Sequence, residues 1–423
     1  MDSLAKKNMA FELKSTLPAH LLQMLEQAAD HCSLRGEFLY IAGGTVRDLL
    51  LGSPSKDIDL VIEGDSFSLA AEISHLFPGK TILHERFKTA KLEVNGFSVD
   101  IATARKETYD HPGALPRVEV GTLKDDLNRR DFSINSMAII ISGDKYGNLI
   151  DPLGGLADLY MQNIRILHKL SFQDDPTRIF RAIRYEQRFG FKIEPATLAL
   201  LEDDKKFLTC LSPDRIRYEF DCVFNEPKPE KALARASILS ILTELFPGLV
   251  FDKQKAEWFK TMRKSYSAYT APKALYWALL FSQLDSVTIQ DAAKRLNLST
   301  ETLEIMLGAH NLAAQHVNLS KEKLKPSEIY QLLNVFNPLS IKAAATSSDN
   351  PVIKERLQLY LTKLRYIKPD LRGDDLIKLG YSPGIMLGHT LDKIRERRLN
   401  GAVHTREEEI EIAKKLLLEK HPE

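Results

Sequence analysis

Asp57 and Asp59 flank Ile58 at the head of an apolar run, Leu60-Val61-Ile62. Alternate side chains of a strand share a face, so the two carboxylates point together while Ile58 turns to the core. Two acids side by side repel unless a cation lies between them. A solvated strand face is the plainer alternative. Asp100 interrupts Phe97-Ser98-Val99-Asp100-Ile101-Ala102 in the same manner. Three carboxylates on adjacent strands are what two-metal phosphoryl transfer needs, one ion activating a hydroxyl and the other steadying a triphosphate.

Three further stretches carry phosphate-binding or base-reading chemistry. Gly43-Gly44, followed by Arg47, lets backbone amides approach a phosphate and brings a guanidinium that can fork onto its oxygens; a purely structural turn would use the same glycines. In Asp126-Leu127-Asn128-Arg129-Arg130-Asp131-Phe132-Ser133-Ile134-Asn135, arginine can neutralise a triphosphate while Asp and Asn hold ribose hydroxyls. A surface salt-bridge cluster explains that stretch equally. Asp174-Asp175-Pro176-Thr177-Arg178 opens a helix in which Arg178, Arg181 and Arg184 recur every third residue. An aspartate before proline is a good helix start, and a carboxylate and an arginine three apart can also hydrogen-bond a nucleobase edge. A three-residue step drifts by about 60° on an α-helix, so Arg184 cannot share one narrow face with Asp175.

The elements that must position these groups fall into two styles. Residues 17–32 repeat apolar side chains at helical intervals and predict an amphipathic lead-in helix. Strands are predicted at 38–42, 57–62, 91–94, 97–102 and 136–141, and helices at 45–51 and 66–76. Several connections are too short for crossover helices, so the sheet is expected to be largely antiparallel. Beyond Asp151-Pro152-Leu153-Gly154-Gly155 strand signals nearly vanish, and 175–423 is helical in period.

Bulk properties narrow the class. The chain has 423 residues, 44% of them hydrophobic and 27% charged, and a net charge of +1. No global field marks a nucleic-acid partner, so a basic binding surface must be local. Cys32, Cys210 and Cys222 are scattered without metal-ligand spacing, which argues against a disulfide framework or a structural zinc. No signal-peptide core and no run of about 18 apolar residues occurs, so a cytoplasmic protein without a membrane span is expected. No protein partner is evident.

Taken together and in order, GGTVRDLLLG with DID, RRDFSINSMAI, DPLGGLADL, DDPTRIFRAIRYEQRFGFKIEP and LSPDRIRYEF span about residues 39–220. In these motifs the chain resembles the tRNA nucleotidyltransferase/poly(A) polymerase family, in its bacterial-type class. The resemblance implies an α+β protein: a polymerase-β-like nucleotidyltransferase head, followed by all-helical neck, body and tail. The implied boundaries are a lead-in at 1–36, head 37–160, neck 161–225, body 226–325 and tail 326–423. By motif, Asp57 and Asp59 would bind catalytic Mg²⁺, with Asp100 the third carboxylate. Gly44, Arg47 and Arg130 would contact the incoming triphosphate or its ribose. Asp175 and Arg178 would read the base, and Arg181 and Arg184 would support the nucleotide. The implied reaction is attack of a tRNA 3′ hydroxyl on the α-phosphate of CTP or ATP, releasing pyrophosphate.

The chain departs from the family pattern at Asp174, where glutamate is usual. Its Arg105–Thr122 loop, with His111-Pro112-Gly113-Ala114-Leu115-Pro116, is similar to a branch that includes enzymes adding only part of the terminal CCA. Within the class, a poly(A) polymerase is the alternative. From other classes, the alternatives are a catalytically retired RNA-binding protein and a phosphohydrolase. Basic-aromatic stretches at 354–372, with Tyr360 and Tyr366, and at 255–277, with Trp258, Tyr266 and Tyr269, suit RNA contact. Ordinary amphipathic helices account for them as well.

Overall fold

The computed structural model describes residues 7–53, 56–266 and 271–418. It divides into two compact units, one of residues 7–219 with 238–245 and the other of residues 220–237 with 246–418. Among the described residues no helix is long and apolar enough to cross a membrane.

In the first unit the lead-in forms two helices, α1 (Ala10–Thr16) and α2 (Ala19–Leu34). Leu21, Met24, Leu25, Ala28 and Cys32 of α2 recur at helical spacing and are buried. The head then runs β1 (Phe38–Ala42), α3 (Gly44–Leu50), β2 (Asp57–Glu63), α4 (Ser66–Leu76), β3 (Lys80–His84), β4 (Thr89–Val94) and β5 (Phe97–Thr103). A hairpin of β6 (Arg105–Thr108) and β7 (Arg117–Val120) follows. After it come α5 (Leu123–Asn128), β8 (Ala138–Ile140) and β9 (Leu149–Ile150). Seven strands form one sheet in the order β3-β4-β5-β2-β1-β8-β9. Every pairing in it is antiparallel except β2 with β5, whose connection passes through α4 and the β3–β4 hairpin. The largely antiparallel sheet is therefore as expected, while the hairpin at 105–120 falls where a loop is read from the sequence.

The alternation of β2 sorts its side chains onto two faces. Ile58, Leu60 and Ile62 join Leu39, Ile41, Val99 and Ile101 in the main core, beneath Leu21 and Met24 of α2 and Leu69 and Ile73 of α4. Val61 lies on the other face with Tyr40, Ala42, Ala104, Leu123 and Leu127, so α5 covers part of that face. Asp57 and Asp59 share the Val61 face.

The rest of this unit is helical apart from a two-residue parallel pair, β10 (Asn163–Ile164) with β11 (Lys192–Ile193). Its helices are α6 (Gly155–Tyr160), α7 (Ser171–Asp174), α8 (Thr177–Phe189) and α9 (Pro195–Asp204), and it takes in the start of α10 (Pro213–Phe224) and a short helix at Ile241–Leu245. Ile179, Phe180 and Ile183 form the buried stripe of α8, and Gly190, with φ +71°, ends the helix in the left-handed conformation.

The second unit is all helical among its described residues. Its first core is aromatic: Phe224 stacks on Tyr276 at 4.9 Å and meets Trp277 edge-on at 4.9 Å. Aliphatic clusters follow, around Leu312, Leu333 and Leu357 and then around Leu376, Tyr381 and Ile394. Trp258 and Tyr360 are buried in this unit, so amphipathic packing accounts for them, whereas Tyr366 is exposed. Tyr269 lies outside the described residues.

Candidate active site

The strand edge supplies the acids. β2 and β5 run parallel in a register that sets Asp59 directly against Asp100, and Asp57 against Ser98. Thr45, at the start of α3, fixes β2 beside the glycine turn: its Oγ1 accepts from the Asp59 amide at 2.8 Å and donates to the Asp57 carbonyl at 3.3 Å. Burial pushes the Asp59 carboxyl above its ordinary range; Arg130 opposes the shift, and Asp100 and Asp57 add to it. Burial also raises Asp100, against the pull of Lys91, whose Nζ lies 3.8 Å away. Asp59 and Asp100 line the cavity described below, whereas Asp57 stands at the exposed start of β2.

These residues fit a small divalent cation. Among the described residues no three acid, histidine or cysteine groups converge into a closed cage. A site of one or two carboxylates completed by water and phosphate oxygens is the habit of Mg²⁺, which dehydrates reluctantly.

The glycine turn faces the acids. Gly43 has φ +72°, which strains any other residue, and the Arg130 side chain lies where a Cβ at Gly43 would stand. A Cβ at Gly44 would meet nothing nearer than Arg47 at 3.5 Å. The sequence reading picks Gly44, which does line the cavity, but Gly43 is the glycine this geometry requires. Arg47 is buried: Nε donates to Asp48 at 2.8 Å, Nη1 donates to Asn135 at 2.6 Å, and the guanidinium packs over the rings of Tyr185 and Phe189. It braces the turn against α8 while still lining the cavity.

The opposite wall is built from saturated ion pairs. Asp126 receives Arg129 on Oδ1 and Arg130 on Oδ2, and the paired guanidiniums hold its carboxyl down against the cost of burial. Asp131 receives Arg181 at 2.5 Å and the Asn135 amide at 2.9 Å, which hold it at about 2 although it is buried. Arg178 is buried and donates to Ser171 Oγ at 2.6 Å and to the Arg129 carbonyl at 2.7 Å. Asp175 Oδ1 accepts from the Thr177 amide at 3.1 Å, from Thr177 Oγ1 at 2.7 Å and from Arg215 at 2.5 Å.

Between the walls lies a cavity of about 490 Å³. Of the residues singled out from sequence, Gly44, Arg47, Asp59, Asp100, Arg130, Asp175, Arg178 and Arg181 line it. Arg184 does not; it faces Glu219 of α10 at 3.6 Å, as its place on the winding stripe dictates. Sequence reasoning missed Glu107 and Tyr109 of the hairpin, Tyr185, and Arg215, all of which line the cavity. The one available signal was for Arg215, which stands in the LSPDRIRYEF motif.

A mixed sheet with paired strand acids, a glycine turn opposite them and an arginine wall defines the class: a nucleotidyltransferase head. Comparison with known proteins agrees. The model of the Poly A polymerase head domain matches residues 39–165, and that of the probable RNA- and SrmB-binding site of polymerase A matches 190–252. An A-adding tRNA nucleotidyltransferase of Geobacter sulfurreducens is 36% identical over 89% of this chain, which spans 45% of that relative's length. Another, from Halalkalibacterium halodurans, is 29% identical over 100% of this chain and 98% of its own. A solved CCA-adding enzyme in an apo form superposes with a TM-score of 0.85 at 30% identity, over 98% of this chain and 99% of its own. The chain belongs to the tRNA nucleotidyltransferase/poly(A) polymerase family.

Proposed function

We propose that this protein extends the 3′ end of tRNA from CTP or ATP without a nucleic-acid template, releasing pyrophosphate, and that its addition is partial, with the terminal A the favoured product. The observation that carries the reading is the single cavity lined both by Asp59 and Asp100 and by Asp175 and Arg178. The A-adding names of two relatives, one of them matched over nearly its whole length, support the narrower choice.

Asp59 and Asp100, with Asp57 nearby, would hold Mg²⁺, which when bound supplies charge neutralisation at the triphosphate and an activated 3′ hydroxyl. The chain's own residues do the rest. Arg130, lying over Gly43, offsets phosphate charge at the glycine turn. Asp131 and Asn135 fix Arg181 and Arg47, so the nucleotide meets a wall already in place and little ordering is needed at the moment of reaction. Among the described residues no donor reaches Asp175 Oδ2, and a carboxylate oxygen accepts from the exocyclic amino group that cytosine and adenine both carry. The helical body (226–325) and tail (326–423) would hold the tRNA acceptor arm, in the cytoplasm where tRNAs are matured.

The test is extension of tRNAs ending before C, after C and after CC, with Mg²⁺ and labelled CTP or ATP. Incorporation of AMP on the CC end alone is expected. Incorporation of neither nucleotide on any end overturns the reading.

A further inference from the structure

One guanidinium joins two parts of the cavity wall. Arg215, on the first turn of α10, donates from Nη2 to Asp175 Oδ1 at 2.5 Å and from Nη1 to the carbonyl of Gly113 at 2.8 Å. Gly113 lies in the turn between β6 and β7, far from Arg215 in sequence. The turn is seated closely there: Gly113 has φ +74°, and a Cβ on it would fall 3.2 Å from the Cys210 carbonyl oxygen. Below the turn, the hairpin puts Tyr109 into the cavity wall, with its hydroxyl donating to Glu107 at 2.9 Å.

A second contact of opposite polarity also joins the two helices. Glu219, one turn beyond Arg215 on α10, faces Arg184 of α8 at 3.6 Å. Thus α10 offers an arginine to the acid that precedes α8 and an acid to an arginine within α8. Arg215 holds Asp175 and the hairpin turn from separate nitrogens of one rigid group.

We propose that Arg215 is a positioning residue that couples the seating of the β6–β7 turn to the orientation of the Asp175 carboxylate. Nucleotide preference then depends on how that turn is seated as well as on Asp175 itself. The inference rests on the nucleotide-transfer reading above. The role needs a planar fork, because both partners are held by separate nitrogens of one rigid group. A lysine, with a single point charge on a flexible stem, serves one partner at a time.

The experiment compares the full-length wild type with R215K and G113A, the second of which unseats the turn and leaves Arg215 intact. One readout is the rate of tryptic cleavage after the exposed Arg117, next to the turn. The other is the ratio of kcat/KM for ATP and CTP on truncated tRNA. Both variants are expected to be cut about tenfold faster and to lose about tenfold in preference, the scale of one charge-assisted hydrogen bond, with the loss larger in KM than in kcat. Unchanged cleavage or unchanged preference in R215K overturns the proposal. A preference lost in R215K but kept in G113A also overturns it, because Arg215 would then act on Asp175 alone. A wild type that transfers neither nucleotide overturns the proposed function instead. Protection of Arg117 from trypsin by ATP or CTP then decides the coupling: protection present in wild type and lost in R215K supports it, and any other pattern overturns it.

Discussion

The two walls of the cavity are charged in different ways. On the strand wall, Asp59 and Asp100 face each other across paired strands and both carboxyls are raised, chiefly by burial. On the helix wall, Asp126 and Asp131 are buried more deeply, yet both are lowered, because arginines meet them at hydrogen-bonding distance. Burial penalises both sets. Local partners decide which way each moves. The strand wall is left charged for something to arrive, and the helix wall is finished before anything does.

That contrast can be broken most sharply at Asp59. Asp59→Ala is expected to lower nucleotide transfer by at least about 10³-fold, read by single-nucleotide extension, the scale of removing a preorganised electrostatic group. Asp59→Asn should be equally inactive yet melt at a higher temperature than wild type at neutral pH. The sign follows from the raised carboxyl: its contribution to stability is full below the ordinary value of 3.8 and is lost as pH rises through the folded value. A lower melting temperature for Asp59→Asn would show that the acid is compensated in the fold.

Asp131 is the mirror case. Asp131→Ala strands Arg181 and should cost about 3–5 kcal/mol in urea unfolding, as breaking a buried pair does. Because the carboxyl is lowered from 3.8 to about 2, its stabilising effect is full above pH 3.8 and is lost as pH falls towards 2. The gap in unfolding free energy between wild type and Asp131→Asn should therefore narrow on acidification below pH 4. A constant gap would mean that the charge does not matter.

The glycine turn offers a comparison within one wall. Gly43→Ala, with its left-handed φ and Arg130 overhead, should cost activity by about 10- to 100-fold, in line with about 1–3 kcal/mol of backbone strain. Gly44→Ala should cost only a few-fold. Equal losses would mean that the turn, and not the approach of Arg130, sets the requirement. The smallest effect is expected at Arg184: Arg184→Ala should leave KM for the nucleotide within about twofold, since its guanidinium faces Glu219 and does not line the cavity. A large rise in KM would put Arg184 back in the site.

The strand wall was the more legible of the two in the sequence. A period of two in DIDLVI and FSVDIA announces both the strands and the face their acids take, and the core obeys it residue by residue. The glycine turn was legible as the pair Gly43-Gly44, and Gly44 lines the cavity, but that Gly43 takes the left-handed conformation was not, because φ is not written in a Gly-Gly pair. The helix wall was half legible. Its arginines were visible, but which carboxylate each one answers depends on where α5, α8 and α10 lie, and such long-range partners leave no local periodicity. Arg184 shows the consequence: drift along the helix predicted that it would leave the Asp175 face, yet motif order put it with the nucleotide. The 105–120 hairpin was missed because its strands are four residues each: β6, Arg105–Thr108, is polar on both faces, and the alternation of Val118 and Val120 in β7 is too short a run to mark a strand.

The parallel register of β2 and β5 also bears on how this chain can change length. Asp59 meets Asp100 only because residues 57–63 and 97–103 advance together. One residue inserted or lost within either strand swaps faces and buries an acid in the main core. The intervening segment, 64–96, has only to return the chain at the right height. Insertions and deletions should thus be tolerated near its surface turns, such as the exposed Asn95-Gly96, and rejected in the two strands. A library of single-codon deletions across 57–103 would trace that boundary directly.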